Sequence, residues 1–398
     1  MPAAPRNHHR ILMYSHDSFG LGHLRRCREI AHSLVDTHRD LSVLIISGSP
    51  IIGSYDFKSR VDFVRIPGVI KLRNGEYTSL KLHIDTRETL RMRREIIRHT
   101  AQIFDPDMFI VDKEPLGLRG EIKSTLSMLK RRGCRLVLGI RDVMDDPDLL
   151  EPEWERKEVM PVLRDLYDDI WVYGTRSFYE PLAGLEVPEE VVRKMRYTGY
   201  LRRQLPAVMS PATIPKPDEP YLLITPGGGG DGIELIDWVI SAYEFDRSID
   251  FRSLIVLGPF MPSHAQADFM ERAARIPSLD IITFDSYPEA LIEGSRGMVA
   301  MGGYNTFCEI LSFDRPAVIV PRTTPRKEQY IRARRAQELG MLRMLEDDGL
   351  RHPQAMVTAL RSLFNEGRRP SEAGIPGLLA GLESINKFVG TSLMEHAA

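Results

Sequence analysis

The chain is predicted to fold as two doubly wound α/β domains. Short apolar runs suited to buried parallel strands alternate with helical patterns along most of the sequence. Two glycine-rich turns, Ser18-Phe19-Gly20-Leu21-Gly22-His23 and Gly227-Gly228-Gly229-Gly230-Asp231-Gly232, each follow such a run and open a helical pattern. A chain of 398 residues also exceeds one ordinary core, so two domains are expected. One glycine turn is a weak signal. Two of them in similar halves suggest two nucleotide-type folds facing each other across a cleft.

The first half carries strand-like runs at residues 11–14, 42–46, 61–65, 108–111, 135–139 and 169–173. Helices are expected between several of them. Residues 24–35 place Leu24, Cys27, Ile30, Ala31 and Leu34 on one face, and residues 89–104 and 118–131 follow. Residues 205–220 hold five prolines and little periodicity, which reads as a linker between a first domain over 1–204 and a second over 221–376. The second half repeats the theme, with strands at 221–225, 253–257, 280–284, 298–301 and 317–320. Its helices are expected at 232–243, 265–274, 306–311, 329–339 and 353–364. Within the tail, 377–398, residues 377–388 read as a helix able to pack back on the first domain.

Composition narrows the class. With 43% hydrophobic and 27% charged residues the chain reads as an ordinary soluble protein, and a formal net charge of -2 gives no general pull toward nucleic acid. Cys27, Cys134 and Cys308 are far apart, without metal-ligand spacing, which suits a reducing compartment and argues against a disulfide scaffold or zinc site. Residues 1–10 lack the apolar core of a signal peptide, and no apolar run is long enough to span a bilayer. A cytoplasmic enzyme is the expectation.

Chemistry is concentrated in a few segments. Four successive glycines after a strand let backbone N–H groups of Gly228, Gly229 and Gly230 approach an anion without Cβ interference, and the next helix adds its positive end. The same run fits Gly-x-Gly-x-x-Gly, so a nicotinamide site stays open, with Asp246 or Asp250 near the offset its ribose acid requires. Further on, Met301-Gly302-Gly303-Tyr304-Asn305-Thr306-Phe307-Cys308-Glu309 ends a strand in two glycines. A helix is expected to start near Asn305 or Thr306, both good N-caps and phosphate donors. Glu309, one turn in, either accepts from the two hydroxyls of a ribose or closes a capping box.

This ordered set, glycine loop, then Gly-Gly-x-x-Thr-x-x-Glu, then Pro-Arg-x-x-x-x-Lys-Glu-Gln-Tyr, resembles the C-terminal half of the GT-B glycosyltransferases, and especially glycosyltransferase family 28, typified by the peptidoglycan N-acetylglucosaminyltransferase. The resemblance covers roughly residues 10–345 and is most specific between 298 and 340. It implies two Rossmann-like α/β/α domains and a UDP-sugar donor. It also implies a ribose contact from Glu309 and sugar contacts from Glu328 and Gln329, where the family often has two glutamines. Thr198-Gly199-Tyr200-Leu201-Arg202-Arg203 is similar to the family's interdomain Gly-Asn-Pro-Val-Arg, which places Arg203 on the diphosphate although Tyr-Leu replaces Asn-Pro.

The first glycine turn, with Gly20, Gly22 and His23, resembles the Gly-x-Gly-His opening of the same superfamily. It is closer still to the Gly-His-x-x-Arg of the UDP-sugar hydrolase of pseudaminic acid synthesis. An inverting transfer needs one base for the attacking hydroxyl, and histidine suits that role near neutral pH. His23 either is that base or only orients the loop; His16 and Asp17 are neighbouring candidates. The helix dipole is expected to lower the His23 pKa slightly. Asp112, in Asp112-Lys113-Glu114, and Arg141-Asp142 follow strands and are acceptor-side candidates, although structural salt bridges use the same residue types. Asp105-Pro106-Asp107 and Asp146-Pro147-Asp148 match the Asp-x-Asp of metal-dependent transferases but are better explained as turn chemistry, so no essential metal is expected. Arg87, Arg91, Arg94 and Arg98 follow helical spacing and form either a solvated face or a patch for anionic lipid or a lipid-linked acceptor.

The expectation is an inverting, metal-independent transfer from a UDP-sugar to a hydroxyl acceptor, in polysaccharide, cell-envelope or glycolipid synthesis, with peripheral contact at the inner membrane surface. A UDP-sugar hydrolase or epimerase of the same fold, a nicotinamide enzyme and a noncatalytic nucleotide-binding protein remain alternatives.

Overall fold

The computed structural model describes residues 8–16, 22–71, 77–205, 219–228, 230–285 and 288–397. The chain divides into two compact units, residues 1–201 with 380–398, and residues 202–379. Gly20, Asp17, Gly229 and most of the proline-rich segment lie outside the described residues.

The N-terminal unit runs β1 (His9–Ser15), α1 (Gly22–Thr37), β2 (Leu41–Ser47), β3 (Val61–Arg65), the hairpin β4 (Val69–Lys71) and β5 (Tyr77–Ser79), then α2 (Thr86–Phe104), β6 (Met108–Asp112) and α3 (Lys123–Arg131). It continues with β7 (Arg135–Arg141), α4 (Pro147–Arg156), α5 (Val159–Asp165), β8 (Asp169–Tyr173), α6 (Glu189–Lys194) and β9 (Met195–Tyr197). Seven strands form one parallel sheet in the order β3-β2-β1-β6-β7-β8-β9. Ile11, Leu12, Met13 and Tyr14 are all fully buried, as a central strand covered on both faces requires. The order reverses between β1 and β6, the position where open α/β sheets bind ligands at strand C-termini.

The C-terminal unit repeats the plan with β10 (Tyr221–Thr225), α7 (Ile233–Phe245), β11 (Arg252–Val256), α8 (Ser263–Ala273), β12 (Leu279–Ile282), α9 (Pro288–Gly294), β13 (Gly297–Ala300), α10 (Tyr304–Ser312), β14 (Ala317–Ile319), α11 (Glu328–Glu338), β15 (Arg343–Met344) and α12 (Pro353–Glu366). Its parallel sheet has the order β12-β11-β10-β13-β14-β15, so its switch point lies between β10 and β13. The last helix, α13 (Gly381–Ala397), belongs to the N-terminal unit. There Gly381 N donates to Tyr200 O at 3.1 Å and Asn386 Nδ2 donates to Ser33 Oγ at 2.8 Å. A Cβ at Gly381 would lie 2.6 Å from Tyr200 O, so only glycine lets the two backbones approach this closely.

The structure departs from the periodicity in informative places. α3 begins at Lys123 rather than at 118, because Gly117 and Arg119 adopt positive φ and turn the chain first. β4, β5, β9 and β15 are too short for alternation to reveal them. The Asp-Pro-Asp segments do what turn residues do. Asp146 caps α4 by accepting from Asp148 N at 3.1 Å, and Asp105 ends α2 in the left-handed region. Among the described residues no helix is long and apolar enough to cross a membrane.

Candidate functional site

In the N-terminal unit the switch point brings the start of α1 to the end of β6. His23 is the second residue of α1, and Asp112 is the last of β6. Their side chains meet: His23 Nδ1 lies 2.5 Å from Asp112 Oδ2. A carboxylate lone pair and an imidazole lone pair cannot face each other at that distance, so Nδ1 carries a proton toward Asp112. Three residues on, Arg26 covers the same carboxylate with a fork. Its Nε donates to Oδ1 at 2.7 Å and its Nη2 to Oδ2 at 2.6 Å. Arg26 Cζ stacks 5.7 Å from the Tyr173 ring centroid. Arg26 and Asp112 are 2% and 1% exposed, and a pair this deeply buried is sustained only by such bidentate geometry.

Burial pushes the Asp112 carboxyl up, but Arg26 and then His23 outweigh it and hold the group well below the usual carboxylate range. Burial drives the His23 imidazole down to about 3; Asp112 opposes this, while Arg26 and Lys113 reinforce it. The cause is therefore desolvation first, rather than the helix dipole that the sequence suggested. The His16 ring lies 5.8 Å from that of His23, edge on, and burial lowers its pKa too. Nearby, Glu114 is held down to about 2 by Lys113, His16 and Lys157 against the upward push of burial. Arg141 ends β7, and the fully buried Asp142 accepts from Tyr200 Oη at 2.8 Å. The carboxylate of Asp142 is thus a strut within the unit's interior.

In the C-terminal unit two glycine turns meet at the other switch point. Gly227 adopts φ +83°, and its N–H donates to Thr225 Oγ1 at 3.1 Å. A Cβ at Gly227 would lie 3.7 Å from Thr306 Oγ1, so the loop after β10 and the first turn of α10 lie side by side. Gly258, at φ +89°, supports the loop from below: its Cβ would fall 2.5 Å from Gly227 O. Phe260 N donates to Gly228 O at 3.0 Å, and Phe260 lies beside both Gly228 and Gly230.

The start of α10 corrects the sequence reading. Gly303, not Asn305 or Thr306, is the N-cap, and it makes no side-chain capping bond. The Gly302-Gly303 pair turns the chain early, with Gly302 at φ +76° and pressed against Ile319. Asn305 and Thr306 therefore lie inside the first turn, where backbone N–H groups and side chains can face an anion together. With Gly303 as N-cap the third helical position is Thr306, and the buried Glu309 lies a turn beyond the capping-box position, which removes that role. Buried Arg203 donates from Nη2 to Asn305 Oδ1 at 2.9 Å, and its backbone N donates to Ser312 Oγ at 2.8 Å, so this arginine is tied to α10 at both ends.

Two further arginines complete the site. Arg332 of α11 is fully buried, donates to Gly302 O at 3.1 Å and stacks 5.8 Å from the Tyr304 ring centroid. Arg322 pairs with Asp231 of the glycine loop through Nη1 and donates from Nη2 to Glu328 Oε1 at 2.8 Å; its backbone N donates to Gln329 Oε1 at 3.1 Å. Sequence reasoning assigned neither a role. Arg322 was visible only as a letter within Pro-Arg-x-x-x-x-Lys-Glu-Gln-Tyr, and Arg332, one turn beyond Glu328 and Gln329, looks like any helix-surface cation. The nicotinamide alternative loses its ribose acid, because Asp246 and Asp250 both precede β11 instead of ending it. Among the described residues no three His, Cys, Asp or Glu side chains are grouped to hold a metal ion.

Residues 224–376 match the family model described as the glycosyltransferase family 28 C-terminal domain. Among solved structures the chain is similar to Medicago truncatula UGT71G1 complexed with UDP-glucose, with a TM-score of 0.64 at 12% identity over 97% of this chain and 98% of that one. It is similar to CalG4, the calicheamicin glycosyltransferase, with a TM-score of 0.62 at 15% identity over 99% of this chain and 100% of that one. Acinetobacter baumannii MurG gives a TM-score of 0.53 at 11% identity over 96% of this chain and 99% of that one. No curated protein matches by sequence. The structural likeness establishes the GT-B fold, two Rossmann-like domains with parallel sheets. With the family 28 domain it defines the class: a glycosyltransferase of the GT-B type.

Proposed function

We propose that the chain moves a sugar, with inversion and without an essential metal, from a UDP-sugar to a hydroxyl acceptor. The C-terminal unit holds the donor. Backbone amides of Gly228–Gly230 and of the first turn of α10, with Arg203, take the diphosphate; Glu309 takes the ribose, and Glu328 and Gln329 read the sugar. In the N-terminal unit His23 Nε2 accepts the proton of the acceptor hydroxyl as its oxygen bonds to the anomeric carbon and the bond to the UDP oxygen breaks. Asp112 holds the imidazole in the required tautomer. Arg141 and the Gly20–Gly22 turn are kept as acceptor-side contacts.

The observation that carries this reading is the convergence of the Gly227 turn on the start of α10, within the segment matching family 28. The UDP-glucose complex of UGT71G1 supports a uridine donor. A nucleotide thermal-shift screen tests the donor: UDP and UDP-sugars raise the melting temperature and NAD does not. Absence of any uridine-nucleotide shift refutes the reading. A neutral His23 can equally activate water, so hydrolysis is the second reading. Free sugar released without acceptor, as fast as transfer occurs with one, would select it.

The acceptor side carries one further proposal. Arg87, Arg91, Arg94 and Arg98 are exposed on α2, whereas Arg93 turns inward to Glu121 at 2.7 and 2.6 Å. The exposed four form a patch suited to anionic headgroups at a membrane surface or to a lipid-linked acceptor. Replacing them with alanine abolishes salt-sensitive binding to anionic vesicles; unchanged binding removes the idea.

A further inference from the structure

A histidine 2.5 Å from a buried carboxylate would ordinarily hold two protons and become half of an ion pair. A base needs the opposite state, with one nitrogen empty. The third group at this site resolves the conflict. Arg26 follows His23 by three residues on α1, so both side chains leave the same helix face. Its guanidinium spans both oxygens of Asp112, and its Nη2 also stands 3.1 Å from His23 Nδ1. The carboxylate charge is already matched by a cation that does not titrate, and that cation sits against the very nitrogen that bonds Asp112.

We infer that Arg26 is a positioning residue that keeps His23 neutral and protonated on Nδ1, by taking up the charge of Asp112 that would otherwise draw a second proton onto the imidazole. This rests on the reading of His23 as the base. Among the described residues, Lys113 acts on the ring in the same direction as Arg26. Lys113, following β6, adds a second cation; burial lowers the pKa of His16, after β1; and Tyr173 of β8 contributes a ring face under the guanidinium. Glu114 is engaged by Lys157 at 3.2 Å. Asp112 is thus the one carboxylate bonded to the imidazole among the described residues, and Arg26 is the group that offsets it.

The test is a titration of the His23 ring signals by nuclear magnetic resonance on the full chain, with the pH dependence of turnover measured beside it. Arg26→Met raises the His23 midpoint by about 1–3 pH units, the range expected when a neighbouring carboxylate loses its partner. Arg26→Lys, which keeps the charge but not the fork, leaves the midpoint near that of the native chain while turnover falls. A native-like midpoint in Arg26→Met overturns the proposal. Should Arg26→Met not fold, Arg26→Gln takes its place, because its amide can still donate to Asp112 while carrying no charge. Arg26→Gln then titrates at higher pH than the native chain, and a native-like midpoint refutes the role. If the midpoint moves but the acid limb of turnover does not follow, Arg26 sets the charge of His23 and the assignment of His23 as the base fails instead.

Discussion

Arg322 offers a quantitative test of how the donor site is held together, because its two partners differ in exposure. The arginine side chain is 28% exposed, Glu328 is 6% exposed and Asp231 is 47% exposed. Burial works against the guanidinium charge, yet Glu328 and Asp231 raise its pKa above the ordinary value. The Asp231 arm resembles a surface ion pair and contributes about 0–1 kcal/mol. The Glu328 arm is different: removing its partner leaves a buried carboxylate, a change that costs about 3–5 kcal/mol at fully buried sites. Discounted for the solvent reaching Arg322, Arg322→Met should cost roughly 2–3 kcal/mol. For a domain of this size that corresponds to a fall of about 4–12 °C in the melting temperature of the C-terminal unit. Glu328→Gln should recover most of the loss in the double variant, since an amide is far cheaper to leave without a guanidinium than a carboxylate. The assay is calorimetry of the four variants of this cycle, with UDP-sugar affinity measured on each. If the double variant is as unstable as Arg322→Met, the two side chains are not coupled and the clamp argument is wrong.

Three other perturbations probe the remaining links. Gly258→Ala places a Cβ 2.5 Å from Gly227 O at a left-handed φ, so the glycine loop shifts; UDP affinity should fall at least about tenfold at a backbone cost of about 1–3 kcal/mol, and native-like binding by calorimetric titration contradicts this. Glu309→Gln should weaken UDP by about 10–100-fold, the worth of hydrogen bonds to a charged group, and weaken 2′-deoxy-UDP much less; equal losses for both would separate Glu309 from the ribose. His23 takes up its proton in the unfolded state near pH 6.5 but in the folded state only near about 3. Between those values the unfolded chain binds more protons, so stability contributed by neutral His23 is present above the window and is lost as pH falls through it. Denaturation of His23→Gln across that range should show a shallower loss than the native chain, and parallel curves would place the acid sensitivity elsewhere.

The sheets and both switch points were legible because buried parallel strands write continuous apolar runs, such as residues 11–14 and 221–224, and glycine turns mark their ends. His23, Asp112, Arg203, Glu309, Glu328 and Gln329 could be selected one by one from segment context and resemblance. Their partnerships could not. His23 and Asp112 are separated by the whole of β2 through α2, and only the strand order places β6 beside β1. The cap of α10 was misjudged because side-chain propensity favours Asn305 and Thr306, whereas the backbone freedom of Gly302 and Gly303 decided where the helix starts. Arg322, Arg332 and Arg26 share one property: each is a long cation whose value lies in what it covers, and sequence position alone does not distinguish it from a solvated helix face.

The two switch points have the same topology and different chemistry, and the proposed division of roles follows this difference. At the β10–β13 switch the converging groups are backbone amides, a helix N-terminus and the guanidinium of Arg203, an assembly that lowers the energy of an anion. At the β1–β6 switch they are an imidazole, a carboxylate and an arginine, with the guanidinium matching the carboxylate charge. On the proposed reading the first site holds the leaving group and the second moves the proton. On that reading, one fold used twice with different side chains at its switch point divides charge stabilisation and proton acceptance between two similar domains.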